Sequence, residues 1–157
     1  MARYSPHELA AFIVRAKSAT YVGGGAKSPP CRPGSHDLRF AEGDFAYLDS
    51  YFGGADFIGE EVVYYRGRPA WAMNYYGRVL EPTRITAAEA GQVIQESLSL
   101  LYREGRFLGG FEHTTAGGDT YVDTSRGDVA SFSGQEWIVR GGERVYELDY
   151  HGGLVRD

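Results

Sequence analysis

The sequence predicts an α+β fold built from an internally duplicated unit: a helix followed by about four antiparallel strands, used twice. The first observation is a self-match. Moved along itself by 75 positions, the chain lays residues 57–80 on residues 132–155 without a gap. Six of these 24 pairs are identical: Phe57/Phe132, Gly59/Gly134, Glu61/Glu136, Gly67/Gly142, Tyr75/Tyr150 and Gly77/Gly152. Chance at this composition gives roughly one or two, before allowing for the choice of offset. Most other pairs keep their chemistry, as in Val63/Ile138, Trp71/Tyr146, Met73/Leu148 and Asn74/Asp149. The second observation is a composition of 22 Gly, 12 Tyr and 8 Phe against 2 Met, which suits a turn-rich antiparallel sheet with half-buried tyrosine faces. The third is a pair of helix starts 81 positions apart. At 157 residues the chain reads as a single domain over 1–157, with pseudo-repeats of about 5–80 and 86–155.

Each element has a local reason. Ser5-Pro6-His7-Glu8 supplies an N-cap serine, a proline at the first helical position and a glutamate that closes a capping box. Leu9, Phe12, Ile13 and Ala16 then share one face, taking the first helix to about Ser18. A Gly/Pro/Ser-rich loop spans Tyr21–Gly34. Hairpins follow over His36–Phe40 and Asp44–Tyr51, turning around Ala41-Glu42-Gly43, and over Ile58–Tyr65 and Ala70–Tyr76, turning at Arg66-Gly67-Arg68. Thr86-Ala87-Ala88-Glu89 repeats the capping box. Ala90, Val93, Ile94, Leu98 and Leu101 form the second helix's buried stripe, and Gly105 ends it. Strands Phe107–Thr114 and Tyr121–Thr124, turning near Gly117-Gly118, and Phe132–Val139 and Arg144–Tyr150, turning at Gly141-Gly142, complete the second unit. The two helices are expected to cover one sheet face, the one bearing Trp71, Met73 and Tyr75 and their partners Tyr146, Leu148 and Tyr150. The opposite face carries Asn74, Tyr76, Asp149 and His151, and reads either as solvated sheet or as the floor of a groove.

Charge narrows the function classes. A formal charge of −5, with dispersed arginines, argues against a nucleic-acid partner. No window is apolar enough for a membrane span, and the single cysteine, Cys31, fits a reducing compartment, so a cytoplasmic protein is expected. The oligomeric state is left open.

Candidate chemistry centres on Glu61 and Glu136, which share a repeat position. As a pair across a pseudo-two-fold axis they could share a proton, act as acid and base, or hold a cationic or hydroxylated ligand. Alternatively each caps a bulge beside Gly59 or Gly134. Asp49 and Asp123 are a second matched pair, read as local turn bonds or as site carboxylates. Three histidines, His36, His113 and His151, lie near acids, but no metal-ligand spacing is present and neither metal nor cofactor is expected. Gly23-Gly24-Gly25-Ala26-Lys27-Ser28 lacks phosphate-loop spacing and follows a helix rather than a strand, so it reads as a mobile loop or lid.

Several segments carry a resemblance: Gly34-Ser35-His36-Asp37-Leu38, Tyr51-Phe52-Gly53-Gly54, Gly59-Glu60-Glu61, Trp71-Ala72-Met73-Asn74-Tyr75-Tyr76-Gly77-Arg78 and Tyr150-His151-Gly152-Gly153-Leu154. Together they resemble an uncharacterised bacterial domain family that occurs alone and fused behind helix-turn-helix DNA-binding domains. Such fusion implies a sensor for a small molecule. A looser likeness is to gyrase-inhibitor-like effector-binding domains, which are duplicated and hold drug-like ligands between aromatics and a central glutamate. Their strand-helix-strand-strand unit differs from the helix-then-four-strands unit read here.

The leading expectation is therefore a domain that binds a small organic molecule at the junction of the repeats. Glu61 and Glu136 would supply charge, and Trp71, Tyr75, Tyr76, Trp137 and Tyr150 would supply aromatic walls. One alternative is a cofactor-independent acid–base enzyme (isomerase, cyclase or hydrolase), with Glu61 or Glu136 as base and His151 or Tyr76 as acid. The other is a protein-interaction or immunity-type module using an acidic, tyrosine-rich surface.

Overall fold

The computed structural model describes residues 4–157 and has the expected α+β class. Helix α1 (Pro6–Lys17) opens on Ser5, whose hydroxyl accepts from the Glu8 N–H while the Glu8 carboxylate accepts from the Ser5 N–H. Thr86 and Glu89 make the same reciprocal pair at the start of α2 (Ala87–Arg103). The end of α1 differs from expectation. Winding continues through a π-helical turn over Ser18–Val22, in which the Thr20 hydroxyl donates to the Ala16 carbonyl at 2.8 Å.

Eight strands form one antiparallel sheet: β1 (His36–Glu42), β2 (Phe45–Gly53), β3 (Asp56–Tyr65), β4 (Arg68–Val79), β5 (Phe111–Thr114), β6 (Thr120–Asp128), β7 (Ser131–Arg140) and β8 (Glu143–Leu154). Their order is β1-β2-β3-β4-β8-β7-β6-β5, which reads alike from either edge inward. The fourth strand after each helix thus meets its counterpart at the sheet centre, where Tyr75 lies opposite Tyr150. Register shifts at Val63/Tyr64 in β3 and at Ile138/Val139 in β7 bend the two halves at corresponding places. The β3–β4 and β7–β8 hairpins turn on Arg66-Gly67 and Gly141-Gly142, all four residues at positive φ, as a tight turn matched to strand twist requires.

Most strands run past their expected ends, β6 to Asp128 and β8 to Leu154, and one turn and one strand start are shifted. The first hairpin turns at Gly43-Asp44, since Glu42 still pairs with Phe45. Strand β5 begins at Phe111 rather than Phe107, because Gly109 and Gly110 take φ of +99 and +81 and break the extended run. Phe107 instead turns into the core between Trp71 and Phe132.

Alternation sorts the sheet as expected. Tyr47, Val63, Trp71, Tyr121, Ile138 and Tyr146 join one buried cluster with Leu9, Phe12 and Ile13 of α1 and Ala90, Val93 and Ile94 of α2. Asn74, Tyr76, Asp149 and His151 are exposed on the opposite face. The Gly/Pro-rich segment before β1 is tied down rather than free. The buried Asp37 carboxylate accepts from the Cys31 N–H at 2.9 Å and from the Ser35 and Ser50 hydroxyls at 2.8 Å each, and the Ser28 N–H donates to the Asp37 carbonyl.

The repeated glycines have a packing reason. Phe57 lies opposite Gly77, and Gly59 opposite Tyr75; Phe132 lies opposite Gly152, and Gly134 opposite Tyr150. A Cβ on Gly77 would strike the Phe57 ring, and one on Gly134 would strike the Tyr150 ring. Four of the six identities that reveal the self-match at the level of sequence are thus halves of aromatic-over-glycine pairs. Gly134→Ala should therefore cost about 1–3 kcal/mol by overpacking, read as a lowered urea midpoint with an unchanged slope. An unchanged midpoint would mean that the Tyr150 ring has room to move.

Candidate functional site

Between the inner sheet face and the helices lies a cavity of about 490 Å³. Its apolar walls come from Phe57, Met73, Ile94, Leu98, Phe107 and Leu148. Its polar lining is a set of carboxyls and tyrosines brought together by strand pairing. Asp49 on β2 is in register with Glu61 on β3, and Asp123 on β6 with Glu136 on β7. All four are buried, at 4–7% exposure.

Each carboxyl is held by tyrosine hydroxyls. Tyr47 donates to Glu61; Tyr75 donates to Asp49 at 2.6 Å; Tyr150 donates to Asp123 at 2.8 Å. Glu136 accepts from Tyr121 and, at 3.1 Å, from Tyr146. Among the described residues no buried side-chain polar atom lacks a hydrogen-bond partner. Burial, reinforced by the neighbouring carboxyls, pushes the Tyr47, Tyr75, Tyr121 and Tyr146 hydroxyls well above their ordinary range, so they remain donors.

The end of α1 contributes the cation. Lys17 Nζ donates to both Glu61 oxygens, at 2.8 and 2.7 Å, with its side chain only 8% exposed. It also lies 5.6 Å from the Phe107 ring centre. The π-helical turn immediately after it carries Tyr21 into the same cavity. The other three carboxyls receive neutral donors only. Burial raises Asp49 to about 7, with the Glu61 charge adding and the Tyr75 hydrogen bond opposing. It raises Glu136 to about 7 against the bonds from Tyr121 and Tyr146, and Asp123 to about 6 against the bond from Tyr150. At neutral pH the cavity therefore holds groups poised between acid and base.

Of the residues singled out from sequence, Glu61, Glu136, Tyr75 and Tyr150 line this cavity. The rest are placed elsewhere. Trp71 is fully buried behind the wall, stacked on Phe132, with its indole N–H on the Val129 carbonyl at 3.1 Å. Trp137 follows Glu136 and so points to the outer face, under the Arg144 guanidinium at 4.2 Å. Tyr76 and His151 border an open groove on that outer face, separated from the glutamates by the sheet. Glu61 and Glu136 do not cap bulges beside Gly59 and Gly134, because those glycines make room for tyrosine rings. Asp49 and Asp123 accept from tyrosines two strands away rather than making local turn bonds.

The histidines are scattered. His36 meets Lys27 at 3.2 Å on the cavity rim, His113 pairs with Glu96 at 2.7 Å, and His151 lies beside Asn74. Among the described residues no three His, Cys, Asp or Glu side chains gather as metal ligands would.

Lys17, Tyr21 and Tyr102 were missed, because a lysine at a helix end reads as surface. The cap-to-cap offset carried the signal. Counted from Ser5 and Thr86, Tyr21 and Tyr102 hold the same position, and Lys17 holds the position of Leu98.

A family model described as "Domain of unknown function (DUF5680)" matches residues 49–155. The match includes all four cavity carboxyls but not α1 or Lys17. No curated protein and no solved structure matches the chain.

Two predictions follow from the electrostatics. Between about pH 4 and pH 7 the folded state keeps protons on Asp49, Asp123 and Glu136 that the unfolded chain has released, so stability falls as pH rises through that window. Asp37 acts in the opposite sense. Burial opposes its charge, but its hydrogen bonds prevail and hold it at about 2, so its contribution is present above about pH 4 and lost below. Thermal melts should therefore show higher stability at pH 5 than at pH 8, by about 3–6 kcal/mol, and Asp49→Asn with Glu136→Gln should flatten that slope. Separately, Lys17→Met strands the Glu61 charge and should cost about 3–5 kcal/mol in urea unfolding, much of it recovered by adding Glu61→Gln. A Lys17→Met protein as stable as wild type would show that Glu61 does not depend on this ion pair.

Proposed function

The chain belongs to the family of the domain of unknown function DUF5680, and we propose that it binds a small organic molecule in the cavity between sheet and helices, as a sensor or a sequestering protein. The observation that supports this reading is the cavity itself: about 490 Å³, apolar on its walls, with a few convergent polar groups on one side. The polar groups orient a ligand and the walls supply its burial. The two helix-plus-four-strand halves are read as copies of one unit, so the ligand would lie over their junction, above Tyr75 and Tyr150. A single cysteine is in keeping with a reducing, cytoplasmic setting.

One observation favours a second reading, the cofactor-independent acid–base enzyme. Asp49 and Glu136 share one cavity with values near 7, which suits proton transfer at neutral pH. The roles would differ from those expected from sequence, since His151 and Tyr76 lie across the sheet. Glu136 or Asp49 would act as base, with a cavity tyrosine such as Tyr150 as hydrogen-bond donor. The interaction-module reading has less to draw on: the large exposed apolar side chains among the described residues are Ile58, Tyr76 and Val155.

Gly91 offers a clean test. It lines the cavity on α2, and a Cβ there meets nothing within 4 Å, so Gly91→Leu should extend a side chain into the cavity while improving helix propensity. In a thermal-shift screen against metabolites and antibiotics, a cavity ligand should raise the wild-type melting temperature and leave Gly91→Leu unmoved. Hits that shift both proteins equally would place binding elsewhere. Mass spectrometry of a hit after incubation separates turnover from simple binding.

A further inference from the structure

We propose that the cavity's ligand is an organic cation, a protonated amine joined to an apolar ring system, whose charge lodges beside Glu136 in the place that Lys17 takes beside Glu61. This deepens the small-molecule reading and rests on it. The argument is an asymmetry of charge between two matched half-sites. In the first half, Glu61 has a tyrosine donor, Tyr47, and a cation, Lys17. In the second half, Glu136 has the corresponding tyrosine, Tyr121, and a second neutral donor, Tyr146, where the first half has Trp71. The helix position that holds Lys17 in α1 holds Leu98 in α2, and Leu98 lines the cavity.

Glu136 is thus 7% exposed, faces the cavity, and has no cation. The same is true of Asp123 and Asp49: among the described residues no lysine, arginine or histidine nitrogen lies within 4.0 Å of any of the three. A carboxyl at such depth keeps its proton unless a cation lies beside it, and the cavity is large enough to bring one. A cationic ligand supplies that charge while its ring system takes the wall formed by Met73, Ile94, Phe107 and Leu148. An anionic ligand could meet Lys27 at the rim, but deeper in the cavity it would face four buried carboxyls, with Lys17 already paired to Glu61.

The test uses three probes of one shape: 1-naphthylmethylamine, 1-naphthylmethanol and 1-naphthoate. Binding of each is measured by titration calorimetry at pH 7.5 to wild type, Gly91→Leu, Glu136→Gln and Leu98→Lys. The amide of Glu136→Gln still accepts the tyrosine hydroxyls, so that fold should hold, and melting curves check each variant. Leu98→Lys provides an internal cation where the ligand's charge would sit, giving a second route to the same answer should Glu136→Gln fail to fold. The expected result is that the amine binds wild type at least about tenfold tighter than the alcohol, with the naphthoate weakest, and that Glu136→Gln and Leu98→Lys each remove the amine's advantage. An amine no tighter than the alcohol, with both displaced by Gly91→Leu, overturns the cation inference and leaves the cavity reading standing. So does an amine advantage that survives in Glu136→Gln and Leu98→Lys. If no probe binds wild type, or if Gly91→Leu binds all three as wild type does, the cavity reading falls and takes the inference with it.

Discussion

Burying four carboxyls on the inner face of a sheet is the constraint around which the rest of the structure is arranged. Water is the usual partner of such groups, and here tyrosine hydroxyls replace it. A tyrosine that reaches a carboxyl two strands away must lie nearly flat across the sheet. It can do so only if the residue beneath the ring has no side chain. Gly59 beneath Tyr75 and Gly134 beneath Tyr150 meet that need, and each glycine stands two residues before the glutamate on its own strand. The tyrosine-over-glycine pairs and the buried acids are therefore one device, present in both halves of the sheet.

Much of this was legible in the sequence because the signals are local and periodic. Capping boxes set the helix starts to the residue, glycine turns located the β3–β4 and β7–β8 hairpins, and period-two alternation assigned the inner face correctly. Glu61, Glu136, Tyr75 and Tyr150 were recoverable because pairing at a fixed offset pointed to them. Trp71, Trp137, Tyr76 and His151 lie outside this cavity for a different reason. Alternation says which residues share a face, but not whether a face is packed, hollow or wet. Trp71 shares its face with the cavity residues yet is filled over by Phe107 and Phe132. Lys17 was invisible because its partner is 44 residues away and its helix position looks solvated. Only the π-helical turn after it, a non-local outcome of packing, makes that end of α1 an inner wall.

The two halves are alike in their framework and unlike in their charge. Strand order, bulge positions, hairpin turns and the tyrosine–carboxyl bonds correspond. Two of their differences bear on the cavity: Lys17 against Leu98 on the helices, and Trp71, behind the wall, against Tyr146, which lines it. Framework positions answer to packing, which is common to both halves. Under the proposed function cavity positions answer also to the ligand, and Lys17 against Leu98 is a difference of that kind.

That divergence gives the cavity a direction. With identical half-sites, an elongated guest could lie head-first or tail-first at equal energy, and the entropy of two poses would blur any readout that depends on which end is where. One lysine, fixed by two hydrogen bonds to Glu61, makes the two ends of the cavity chemically distinct. Each 1.4 kcal/mol of difference between the poses is about a tenfold preference, so on the proposed reading a cation at one end of the cavity and none at the other is enough to favour one pose. A near-symmetric scaffold thereby gains polarity along its own axis at the cost of one side chain.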